Sequence, residues 1–78
     1  MKNEYLTKDF YTAAFLLGSG HRVSRIHRKD PKTVFFAFND FEGREDLIRA
    51  FLFGEATVEP QGFVAAIKKL KGLIHSND

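Results

Sequence analysis

The sequence predicts an α+β fold. It reads as a short antiparallel sheet, a β-hairpin plus a candidate N-terminal edge strand, packed on one face by three helices in the order β-α-β-β-α-α. Three observations carry this. Apolar residues recur at helical spacing before Gly18, before Gly54 and after Pro60. Thr33 to Asn39, TVFFAFN, alternates with period two and is rich in aromatic and β-branched residues. Asp30-Pro31 stands where an extended run must turn back to meet that strand. The 78 residues are read as one domain, 1–78. A chain of this length buries only about 60% of its unfolded surface, so large side chains have to build the core, and nine Phe are available for it.

In order along the chain, Met1 to Glu4 is polar and expected to fray. Tyr5-Leu6 can form a very short strand, and Thr7 is a suitable N-cap. Helix 1 is expected from about Lys8 to Leu17, with Phe10, Ala13, Ala14 and Leu17 on its apolar stripe and Gly18-Ser19-Gly20 ending it. Arg22 to Arg28 reads as strand 2, but Val23 and Ile26 have opposite parity. Either a bulge intervenes or one of them lies on the second face. In strand 3, Thr33 to Asn39, the residues Val34, Phe36 and Phe38 form one face and Phe35 and Ala37 the other. Asn39 or Asp40 can cap helix 2, whose stripe is Leu47, Ile48, Phe51 and Leu52. Glu59-Pro60 suits the start of helix 3, with proline at the first helical position and Phe63, Ala66, Ile67, Leu70, Leu73 and Ile74 facing inward. His75 to Asp78 is expected to fray.

The formal charge of +2 is unevenly spread. His21 to Lys32 carries five Lys or Arg against one Asp, while Asn39 to Glu59 carries six carboxylates against Arg44 and Arg49. The first segment can steer a polyanion, and the two can equally attract each other within or between copies. Arg22, Arg25, Arg28, Lys29, Lys32 and Phe35 are therefore the candidate polyanion-binding residues. Arginine forks and lysine charges suit phosphates, and Phe35 offers a stacking face for unpaired bases. Arg25 and Arg28 rank ahead of Arg22 by their place near the middle of the strand and the turn. The competing reading makes these residues solubilising charges on an edge strand. Lys68, Lys69 and Lys71 form a second basic patch, which reads first as the solvated flank of an amphipathic helix.

Catalytic chemistry finds little support. His21 and His27 have no second chelating pair nearby, and there is no cysteine. Ser19, Ser24 and Ser76 lack a triad or elbow context. The clustered acids are explained by helix capping. Gly18-Ser19-Gly20-His21 lacks phosphate-loop spacing and follows a helix rather than a strand. A helix-turn-helix is disfavoured by the length of the link Gly54 to Glu59 and because the would-be recognition helix, beginning Glu59-Pro60-Gln61, has no basic side chain before Lys68. The expectation is a non-enzymatic domain with no cofactor and no membrane role, placed in the cytoplasm because the apolar runs are too short to span a bilayer.

The segments Tyr5-Leu6-Thr7-Lys8-Asp9-Phe10, Ala13-Ala14-Phe15-Leu16-Leu17 with Gly20-His21, Val34-Phe35-Phe36-Ala37-Phe38, and Val58-Glu59-Pro60 with Phe63 and Leu70 resemble a family of short bacterial and phage-associated proteins of unknown function. The resemblance covers nearly the whole chain and brings no activity or site residue with it. Two functional expectations stand. One is a binding or accessory module whose basic hairpin contacts DNA or RNA. The alternative is a protein-interaction or homodimerisation module with no nucleic-acid role, suggested by Phe35, Phe53 and the opposed charge segments.

Overall fold

Six elements follow one another in the expected order: β1 (Glu4–Thr7), α1 (Phe10–Gly18), β2 (Val23–Asp30), β3 (Thr33–Asn39), α2 (Arg44–Leu52) and α3 (Pro60–Ser76). The computed structural model describes residues 3–76. The fraying expected of Met1, Lys2, Asn77 and Asp78 lies outside the described residues, whereas Glu4 is in β1 and His75 is in α3.

The sheet has the order β1-β3-β2, and β3 is antiparallel to both neighbours. The most apolar strand thus has β2 along one edge and β1 along the other from Phe36 to Asn39. The parity conflict in β2 is resolved by a bulge. Val23 lies opposite Phe38 and Arg25 opposite Ala37, so Ser24 is an extra residue, and Ile26 then falls opposite Phe36. Val23 and Ile26 can therefore both face the helices. The Ser24 hydroxyl donates to the Ala37 carbonyl at 3.1 Å. A second register shift lies between Arg28 and Asp30, just before the turn. There Asp30 Oδ1 accepts from the Lys32 amide at 2.9 Å, closing the bend at Pro31-Lys32.

Helix starts differ from expectation in two places. α1 is capped by Asp9 rather than Thr7: the Asp9 carboxylate accepts from the Tyr11 amide and from the Thr12 hydroxyl. Thr7 ends β1 and its Oγ1 accepts from the Asp9 amide at 3.1 Å. α2 begins only at Arg44, after Gly43 in the left-handed region (φ 88°), because Asp40 spends its oxygens on the Phe41 amide and the Arg44 guanidinium. α3 starts as expected. Glu59 accepts from the amides of Gln61 and Gly62, both at 2.9 Å, and Pro60 takes the first helical position.

All three helices cover one face of the sheet. α1 contributes most to the core, with Thr12 to Leu16 all buried, and packs with Phe36, Phe38, Ile48, Ala66 and Leu70. Phe15 stacks on Phe51 of α2 with ring centroids 4.5 Å apart. α1 and α3 approach closely at Gly18, where an added Cβ would lie 3.3 Å from Val58 Cγ2 and 3.4 Å from Phe63 Cα. The stripe expected on α2 is only partly used. Ile48 is buried and Leu47 and Phe51 half-buried, but Leu52 is 64% exposed beside Phe53 at 73%.

Candidate functional site

The six candidate residues do not share one surface. Arg25 lies on the uncovered face of the sheet, where its Nη2 meets Glu4 Oε1 at 2.9 Å. Glu4 belongs to β1 and Arg25 to β2, so this ion pair bridges over β3, above Ala37, whose small side chain is wholly buried. Arg28 lies opposite Val34 and donates from Nη2 to the Ile74 carbonyl at 3.1 Å, tying β2 to the last turn of α3. A cation there meets the negative end of the helix dipole. Phe35 is half-buried on the uncovered face, with His27 as its ring neighbour at 6.4 Å. Arg22, Lys29 and Lys32 are exposed and form no ion pair among the described residues.

A further cation joins this set. α3 runs beside β2, and a cleft of about 300 Å³ between them is lined by Leu17, Arg22, Val23, Lys69 and Leu73. Lys69 is exposed and without an ion pair among the described residues. The second basic patch thus lies partly alongside the hairpin. Its four-residue spacing from Leu73 was visible in the sequence, since i and i+4 share a helix face. What no local pattern could show is that this face abuts the start of β2. Lys68 lines a separate depression with Pro60, Gln61, Val64 and Ala65.

Three carboxylates are held below their ordinary range. Glu4 is lowered chiefly by its hydrogen bond with Arg25, Asp30 by the Lys32 amide, and Asp40 by Arg44, with burial opposing each shift. The Arg44 guanidinium, raised by the same Asp40 contact, also sits 4.2 Å over the Tyr5 ring. A carboxylate with a depressed folded pKa adds stability above its unfolded pKa, and that stability is lost as pH falls through the folded value. Resistance to urea is therefore expected to be level near neutrality and to decline once pH drops below about 4. Glu4→Gln should flatten part of that decline. An unchanged urea midpoint between pH 7 and pH 3 would refute the assignment.

Among the described residues no group of three or more His, Cys, Asp or Glu could hold a metal ion, and the chain has no cysteine. His21 lies flat on Phe41, with centroids 3.9 Å apart and rings inclined by 6°. No helix among the described residues is long and apolar enough to cross a membrane.

Comparison with curated proteins and with solved structures returned no match. A family model described as a domain of unknown function, DUF5659, matches residues 2–76. With nearly its whole length covered, the chain belongs to the DUF5659 family, an α+β domain of unknown function.

Proposed function

We propose that the domain is a non-enzymatic binding module that contacts the phosphates of DNA or RNA through the basic edge formed by β2, the hairpin tip and the adjoining flank of α3. The observation that carries this is the gathering of Arg22 and Lys69, 47 positions apart in the chain, on one cleft. Lys29 and Lys32 extend the same charge to the tip of the hairpin. Like charges brought together by a fold repel each other, and a bound polyanion relieves that repulsion. Arg25 and Arg28 play a different part here: they are engaged with Glu4 and with Ile74 and hold the hairpin in place.

The alternative, a protein-interaction or self-associating module, draws on Leu52 and Phe53, adjacent and exposed at the end of α2. Self-association through the free edge of β2 is disfavoured, because two register shifts interrupt that strand and its basic side chains would meet their own copies.

One experiment separates these readings: fluorescence anisotropy with labelled oligonucleotides across a salt series, accompanied by sedimentation of the free protein. The nucleic-acid reading expects salt-sensitive binding. Changing Arg22, Lys29 and Lys32 together to alanine should lower affinity more than tenfold at low salt and reduce the log–log salt slope by about 2–3. Flat anisotropy at low salt would overturn it. A mass that rises with protein concentration would favour self-association, and a constant monomer mass would remove that form of the alternative.

A further inference from the structure

We infer that the cleft between β2 and α3 seats unpaired nucleotides, so that the domain prefers single-stranded nucleic acid to duplex; this rests on the nucleic-acid reading above. The cleft joins two chemistries. Arg22 and Lys69 supply positive charge, while Leu17, Val23 and Leu73 supply aliphatic walls. An inorganic anion would have no use for the walls, and an apolar ligand would have none for the cations. A nucleotide with its base turned out presents an anionic group and a flat, weakly polar one a few bonds apart.

The hollow continues. A second one, about 230 Å³, is lined by Leu17, Gly62, Ala65, Ala66 and Lys69. Leu17 and Lys69 are common to both hollows, which makes a short track along α3 with a cation at its middle and Arg22 at one end. Each hollow is at or below the small end of ligand-holding clefts, about 300 Å³, a size that matches a single base with its sugar and phosphate left outside. A strand laid along the track places the phosphate between two nucleotides at Lys69.

Duplex is a poor fit for the same surface. Paired bases show only their edges, in grooves that must be entered by a protruding element. β2 is hindered as a ribbon, because β1 flanks β3 from Phe36 to Asn39 and, beyond the end of β1, Arg28 ties β2 to the last turn of α3. No Asn, Gln, Ser, Thr or acidic side chain among the described residues lines either hollow, so binding is expected to be indifferent to base identity.

The test compares a short mixed-sequence single strand of DNA with the duplex it forms, by anisotropy at low salt. The single strand is expected to bind roughly tenfold more tightly, the range expected from burying about 50 Å² of one base against aliphatic walls. Lys69→Ala, an exposed substitution that leaves the core intact, should bring the two affinities together. Lys29→Ala with Lys32→Ala should weaken both and preserve their ratio. Equal binding of strand and duplex, or a preference that survives Lys69→Ala, overturns the cleft assignment while the nucleic-acid reading stands. No binding of either probe overturns both.

Discussion

Replacing Phe38 with alanine is expected to cost about 3–5 kcal/mol and to leave much of the domain unfolded. The ring is wholly buried at the centre of the sheet, with Tyr5 of β1 opposite it on one side and Val23 of β2 on the other. It belongs to the cluster formed with Phe15, Leu16, Phe36 and Leu70. At about 0.05–0.15 kcal/mol per residue, a chain of 78 residues has a total stability of about 4–12 kcal/mol. One cavity of this size removes about a quarter or more of it. Phe53, exposed just beyond α2, is the internal control: Phe53→Ala should change stability by less than about 0.5 kcal/mol. Urea unfolding followed by circular dichroism measures both. Comparable losses at the two positions would show that the core is not centred on β3.

Gly18→Val is expected to destabilise by about 1–3 kcal/mol through overpacking. The Cβ already falls 3.3 Å from the Val58 methyl, and the backbone of Phe63 at 3.4 Å has little room to retreat. Branching at Cβ adds atoms where α1 already meets Val58 and the first turn of α3. Gly72 gives the contrast, since nothing lies within 4 Å of a Cβ built there, inside α3. Gly72→Ala should stabilise by about 0.4–1 kcal/mol, because alanine restricts the unfolded chain and suits a helix better. Two thermal melts decide the matter: opposite signs at the two glycines support the close approach, and equal shifts would deny it.

Local patterns carried the fold a long way. β3 was legible in full because its alternation and its turn agreed, and α3 because Glu59-Pro60 and the inward face from Phe63 to Ile74 agreed. The bulge at Ser24 was one of two open solutions for β2, and register against β3 was needed to choose it. The start of α2 was misplaced because Asp40, a good cap by type, is taken by Arg44 four residues on. The site was harder to read. Arg25 and Arg28 looked free in the sequence, yet one meets a strand 21 positions away and the other a helix 46 positions away. Such pairings depend on topology, which composition does not encode. Lys69 was hidden for the same reason, since its helix had to be placed against β2 before its charge could count with Arg22.

The position of β3 has a consequence beyond packing. Val34 to Phe38 is uncharged, free of proline and glycine, and made of residues that favour extended stacking, the composition of a segment that pairs with copies of itself. In the folded domain β2 pairs along this segment and β1 covers the other edge from Phe36 onward, while Lys32 and Asp40 stand just outside the ends of β3 as charged gatekeepers. Unfolding would release the one stretch of the chain best suited to aggregate. Loss of the fold and loss of solubility are thus tied to the same five residues.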